Sequence, residues 1–300
     1  MEKKQIAFNK FYKSFNLVST FLIIISVLLL FFKGLNYGVD FKGGTLIELR
    51  ANDSQINIFK LRQSLLNMNI GDVNVKQFGN QNDYLIKIEK KNDNSPNFIQ
   101  EIKDDLIKSI GSGFNFRRVE NVGPKVSAEL LKSGIIAIGL SLVAMLLYIW
   151  IRFEWQFSLG AILALLHDVI ITLGVFSFFN FEINLSIVAA VLTIVGYSMN
   201  DTVVIFDRVR ENLKKFSDIK IFDLTNISIN ETLSRTIITS ITTLLALLSI
   251  YFLGGEILKG FSLAMILGVV FGTYSSIYIA NPILVLLNVS QGTILKEDKN

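Results

Sequence analysis

Six apolar runs, each near or above the ~20 residues a helix needs to cross a bilayer, leave this 300-residue chain few folds to choose from. They lie at about Asn16–Phe32, Ile135–Ile151, Phe157–Phe179, Leu185–Phe206, Thr236–Leu253 and Phe261–Leu287. Lipid offers no partner to a backbone N–H or C=O, so runs of this length are helices. Composition agrees: 51% apolar content and a mean hydropathy of +0.49 exceed those of an ordinary soluble domain. A cleavable signal peptide would need a small-residue site after the first run. Lys33-Gly34-Leu35-Asn36-Tyr37 follows instead, so a retained first span is expected.

Positive charge orients the spans. Lys3, Lys4, Lys10 and Lys13, the Arg152 turn, the Arg208–Lys220 segment and Lys296/Lys299 all fall on one face, whereas the opposite short loops hold Glu182, Glu256 and Lys259. By the positive-inside rule the basic face is cytoplasmic. Trp150 and Trp155 straddle a turn, as an interfacial belt would place them. The expected plan is a cytoplasmic basic tail (1–15), a first span (16–34), an extracytoplasmic domain (38–131), a bundle of spans two to six (132–288) with a cytoplasmic loop (207–234), and a cytoplasmic tail (289–300).

Between the first two runs the composition becomes that of a small α+β domain. Thr45–Ala51 alternates like a strand, and Ile58–Asn67 carries Phe59, Leu61, Leu65 and Leu66 near helical spacing. Asp72–Phe78 and Tyr84–Lys90 read as strands joined by a turn at Gly79-Asn80-Gln81-Asn82. Phe98–Ile110 is a helix stopped by Gly111-Ser112-Gly113, and Phe114–Val119 is a last strand. The order β-α-β-β-α-β matches the split βαβ, ferredoxin-like motif. Roughly 85 residues suffice to bury a core, though a marginal one.

The candidate chemistry lies inside the spans. Asp201 follows a long apolar segment and shares a helical face with Thr193, Tyr197, Val204 and Arg208, with Asn200 at its border. An intramembrane carboxylate is costly and normally faces a protein interior or a water-filled path; the alternative is solvation at headgroup depth. Arg235 opens the fifth run on a stripe with Thr239, Thr242 and Ala246. It can reach Glu231 on its own helix or the Asp201 face of the preceding one. A carboxylate facing a permanently charged guanidinium makes a proton relay of Asp201 and Arg235, with Asn200, Tyr197, Thr239 and Thr242 in support. His167-Asp168 in the third span fits a second relay position or a packing role, the two adjacent side chains being expected to point to different neighbours. Gly260, Ala264, Gly268, Gly272, Ser276 and Ala280 recur every four residues along the last span, where small side chains let helix backbones approach.

Other chemistries lack their residues. With no cysteine and one histidine, a metal site is not expected. No P-loop, Gly-x-Ser-x-Gly elbow or His-Glu-x-x-His pair occurs, and Gly43-Gly44-Thr45 precedes a strand without a phosphate-loop lysine. Basic residues are not interleaved with aromatics, so no nucleic-acid partner is expected. The chain reads as a non-enzyme without cofactor, driven by an ion gradient, in which one charge yields about 2.3 kcal/mol per 100 mV.

Five separated motifs resemble the SecF family of the bacterial Sec protein-export machinery. They are Gly38-Val39-Asp40-Phe41-Lys42-Gly43-Gly44-Thr45, Val122-Gly123-Pro124-Lys125-Val126, His167-Asp168-Val169, Gly196-Tyr197-Ser198-Met199-Asn200-Asp201-Thr202, and Arg235-Thr236 with Gly254-Gly255. The resemblance implies a six-span half of a resistance-nodulation-division type transporter in the inner membrane, completed by SecD. It further implies association with the SecYEG channel and accessory translocase subunits, and use of the proton-motive force to complete export of a translocating polypeptide. Asp201 and Arg235 fall on the family's intramembrane pair, and Gly38, Asp40, Gly43, Gly44 and Thr45 would anchor the external domain to the first span. Two other readings fit the same residues: a structural half-transporter in which Asp201 and Arg235 form a static pair, and a small-molecule or lipid exporter of the same superfamily.

Overall fold

The computed structural model describes residues 5–52, 58–68, 70, 72–77, 82–89, 98–111, 113–216 and 218–295. A 3-10 turn (Phe8–Phe11) opens into α1 (Tyr12–Phe32), which passes through β1 (Asn36–Tyr37) and the single turn α2 (Val39–Lys42). A domain of β2 (Gly44–Ala51), α3 (Ile58–Asn67), β3 (Asp72–Gln77), β4 (Asp83–Glu89), α4 (Phe98–Ile110) and β5 (Phe114–Val122) follows. Then come α5 (Pro124–Arg152), α6 (Trp155–Phe179), β6 (Glu182–Ile183), α7 (Leu185–Lys215), α8 (Ile221–Leu253) and α9 (Glu256–Ser275). A π-helical turn (Ser276–Ala280) carries α9 into α10 (Asn281–Leu286), and α11 (Gln291–Leu295) ends the described chain. Among the described residues six helices are long and apolar enough to cross a membrane.

The sheet of the inserted domain runs β3-β4-β2-β5, antiparallel throughout. Period-two alternation sends Ile47, Leu49, Ile86 and Ile88 to one face, where Leu61 and Leu65 of α3 and Ile102 and Leu106 of α4 cover them completely. Each such side chain contributes about 1.5–3 kcal/mol on burial, enough for a small core. Phe59 and Leu66, expected on the buried side of α3, are exposed; a short helix on a flat sheet buries only the narrow Leu61/Leu65 stripe. The opposite face of the sheet carries Leu46, Glu48, Leu85, Lys87, Arg118 and Glu120 and overlooks a cleft of about 430 Å³ above the ends of α6, α7, α8 and α9.

The glycine pair at the start of β2 has a steric cause. Gly43 has φ +81° beside Pro124 and Ser127, and Gly44 has φ +144° with the Ile88 carbonyl oxygen where a side chain would stand. At the far end of β2, Arg50 donates Nε and Nη2 to the two Asp83 oxygens at 2.6 and 2.7 Å. These hydrogen bonds hold the Asp83 carboxyl below the usual carboxylate range, with the charges of Arg50 and Arg117 adding to the effect.

Three boundaries depart from the plan read off the sequence. The first span begins at Tyr12, and the segment before it is no free tail: the Phe8 N–H donates to Asn226 Oδ1 (2.8 Å) and Asn9 Nδ2 to the Phe222 carbonyl (3.3 Å). The expected loop 207–234 is mostly helix, because Val209, Leu213, Leu224 and Ile229 continue the buried stripe beyond the apolar run. The second span starts at Pro124 rather than 132, with proline in the first turn where a missing N–H costs nothing. The expectations on Lys3, Lys4, Phe78, Gly79, Asn80, Gln81, Lys90, Ser112, Lys296 and Lys299 lie outside the described residues.

Gly44→Ala should destabilise the inserted domain by more than about 2 kcal/mol through backbone strain and the clash with Ile88; hydrogen exchange of β2 and β4 amides in the full chain measures it. Acid should release the Arg50–Asp83 contribution: it is complete above the ordinary aspartate pKa of about 3.9 and lost as pH falls through the lower folded value. Asp83→Asn should remove that pH dependence from the domain's unfolding.

Candidate functional site

The site is built on the seam between α7 and α9. All six small residues of the four-residue repeat are used. Gly260 lies against Ile187, Gly268 against Ile194 and Gly272 against Ser198, and Ala264 is fully buried in the same cluster. Ser276 Oγ lies 2.7 Å from Thr202 Oγ1, and the Ala280 carbonyl approaches Gly160 of α6. A side chain at Gly268 would overlap Ile194, so the backbones meet only because these positions are small.

This seam turns one face of α7 toward α8, and two polar contacts fix their antiparallel register. The Tyr197 hydroxyl lies 3.2 Å from the Thr239 carbonyl and 3.1 Å from Thr243 Oγ1. Further along, Arg208 Nε donates to Glu231 Oε2 at 2.6 Å, and Asn212 Nδ2 donates to the same oxygen at 2.7 Å. Asp201 lies between these contacts, 5% exposed, and so opposite the segment that carries Arg235. Arg235 is within electrostatic reach of it.

Neither expected partner of Arg235 is engaged. Glu231 is taken by Arg208 and Asn212, and among the described residues no ion pair within 4 Å joins Arg235 to Asp201. Arg235 stands on the exposed side of α8 with Ile238, Ile241 and Leu245. Thr239 and Thr242 bond carbonyls of their own helix, and Asn200 is exposed.

His167 and Asp168 correct a second expectation. They bond each other, His167 Nδ1 to Asp168 Oδ1 at 2.9 Å. Adjacent residues on a helix diverge by ~100° at the backbone, but both side chains bend into the same interhelical space, held there from two sides. Ser198 of α7 and Ser275 of α9 both donate to Asp168 Oδ2, at 2.6 and 2.8 Å, while the imidazole stacks on Tyr274 at 5.8 Å. Ser198 and Ser275 were legible only as small residues near the seam; their role needs the third helix.

The external end ties α7 to the inserted domain. The Leu185 N–H, in the first turn of α7, donates to Asp40 Oδ2 at 2.9 Å, and the Gly38 N–H to the Ile183 carbonyl at 2.8 Å. β1 pairs in parallel with β6, and Lys87 on β4 forms an ion pair with Glu182. A side chain at Gly38 would overlap that glutamate. The Gly38–Thr45 motif thus grips the loop before α7 and lies against the start of α5.

Together these features define a polytopic helical membrane protein with ionisable groups buried in its bundle and an α+β domain clamped to the helix that carries one of them. Comparison with known proteins makes this specific. The C-terminal family model of the protein export membrane proteins SecD/SecF matches residues 102–290, and the SecD/SecF GG motif matches residues 28–55. Protein translocase subunit SecF of Cereibacter sphaeroides is 41% identical over 94% of this chain and 89% of its own length. Those of Rickettsia bellii (45%, 89% and 89%) and Vibrio alginolyticus (42%, 96% and 92%) are as similar. The crystal structure of SecDF, a translocon-associated membrane protein from Thermus thermophilus, superposes with a TM-score of 0.83 at 36% identity; 95% of this chain covers 39% of that longer one. The chain belongs to the SecD/SecF family, on its SecF branch.

Thr202→Cys with Ser276→Cys should cross-link almost completely under mild oxidation in this otherwise cysteine-free chain, whereas Thr202→Cys with Ile279→Cys should not. Gel mobility after proteolysis between α7 and α9 reads the result.

Proposed function

We propose that this chain is an accessory subunit of Sec protein export, working with SecD at the SecYEG channel and coupling the proton-motive force to completion of translocation across the inner membrane. The observation that carries the coupling is the position of Asp201: a nearly buried carboxylate, halfway along a helix whose outer end is clamped to the inserted domain. Proton binding there changes the charge α7 presents toward α8 and Arg235. The change is transmitted along a rigid helix, ~1.5 Å per residue over the sixteen residues from Leu185 to Asp201, to the Asp40 and Lys87–Glu182 contacts.

Arg235 stands at the edge of an exposed apolar face of α8, formed by Ile237, Ile238, Ile241 and Leu245. In this reading the SecD half-bundle covers that face and completes the proton path, so that Asp201 and Arg235 meet only during the cycle. In the same reading Lys10, Lys13, Arg152 and the α7–α8 turn lie in the cytoplasm and the ferredoxin-like domain outside, as the positive-inside rule expects. Its charged sheet face and the cleft beneath it then lie on the exit side, where a translocating polypeptide would be met.

Asp201→Asn, which holds the site permanently uncharged, should reduce proton-driven export in inverted vesicles to the level of vesicles lacking the chain. The complex with SecD should still form. Full export by the variant would overturn the reading.

A further inference from the structure

We propose that Arg208 and Asn212 of α7 are positioning residues for the proton site: by capturing Glu231 they keep the Arg235 guanidinium unpaired and its charge available to Asp201. On α8, Glu231 and Arg235 are i and i+4 neighbours with the acid N-terminal to the base, the favoured order for a side-chain ion pair. Left to α8 alone, that pair would form and cancel the charge of Arg235. It does not form, because α7 supplies two donors that meet at one carboxylate oxygen. Arg208 Nε donates to Glu231 Oε2 at 2.6 Å, and Asn212 Nδ2 donates to the same atom at 2.7 Å.

An exposed i,i+4 pair is among the weakest of ion pairs, whereas a guanidinium and an amide converging on one carboxylate oxygen make two charge-assisted hydrogen bonds. The amide is itself fixed in place: Asn212 is 2% exposed and also donates to Ser228 Oγ at 2.9 Å, one turn before Glu231. Arg208 is satisfied in turn by Glu211, which accepts from Nη1 at 2.6 Å. Two glutamates so neutralise Arg208, which stands two turns beyond Asp201 on the same face of α7. Among the described residues Arg235 has no ion-pair partner within 4 Å, and it is the cation within electrostatic reach of Asp201. One arginine thus holds the acid that would otherwise occupy the other. If Glu231 swung to Arg235, Asp201 would face a neutral pair, and gain or loss of its proton would no longer change the attraction between α7 and α8.

Arginine-selective modification tests the capture without any assumption about export. In the purified full-length chain phenylglyoxal should label Arg235 readily, as followed by peptide mass spectrometry. Arg208→Gln frees Glu231, so labelling of Arg235 should slow several-fold, and Arg208→Gln with Glu231→Gln should restore it. Arg208→Met serves in both backgrounds where the glutamine variant does not assemble. Glu211→Gln, which disturbs Arg208 only on its own helix, should leave the labelling as it was. Unchanged labelling in Arg208→Gln, or slowed labelling that the double variant does not restore, overturns the proposal. The functional arm rests on the proton-coupled reading above: in inverted vesicles Arg208→Gln should lower proton-driven export several-fold, and the double variant should regain most of it. A clamp that merely joined two helices would be lost in both variants alike, so absence of rescue overturns the positioning role. Failure of the proton-coupled reading shows separately, as full export by Asp201→Asn with the labelling pattern intact.

Discussion

Close approach of α7 and α9 is the constraint on which the rest depends. In lipid there is little hydrophobic gain from joining two apolar helices, so the association must come from packing and polar contacts. Gly260, Ala264, Gly268 and Gly272 supply the first by letting the backbones near each other. Ser275, Ser276, Ser198 and Thr202 supply the second, with Asp168 of α6 as the shared acceptor. A wider seam would leave Asp168 short of donors and would turn the face carrying Tyr197, Asp201 and Arg208 away from α8.

From that seam the fold divides into parts that are tightly held and a face that is not. α6, α7 and α9 are largely buried against one another, whereas α1, α5 and α8 leave most of their apolar surface open. Arg235 belongs to the open part and Asp201 to the held part. An arginine at the edge of an apolar face is stable because its stem packs while its head reaches polar surroundings. The same residue is thereby free to change partner when that face is covered.

The inserted domain is coupled to the bundle at two places, the start of α7 and, through α2, the first turns of α5. Gly38, Asp40 and Lys87 engage Ile183, Leu185 and Glu182, all within the turn that starts α7. The sheet face above remains over an open cleft. Movement of α7 along or about its axis therefore reaches the domain directly, as does movement of α5 against α2.

Much of this was legible in one dimension. Six spans, the order of strands and helices in the inserted domain, the small-residue seam and the isolation of Asp201 all follow from local quantities: run length, alternation, four-residue spacing, and the cost of a charge in lipid. What the chain could not announce were relations among three helices. His167 and Asp168 were expected to face apart because helical geometry separates adjacent backbones, yet Ser198 and Ser275, from distant segments, draw both into one space. Arg235 was expected to pair with Glu231 or Asp201, yet Arg208, almost a full helix away in sequence, holds the glutamate. The helical extensions over 207–215 and 221–234 were hidden by their charge, since only their buried stripe, once packed, outweighs it. Sequence alone determined which groups are costly to bury and how often helices must turn; only the tertiary structure decided which partners meet those costs, because hydrogen bonds and ion pairs are satisfied in space and not along the chain.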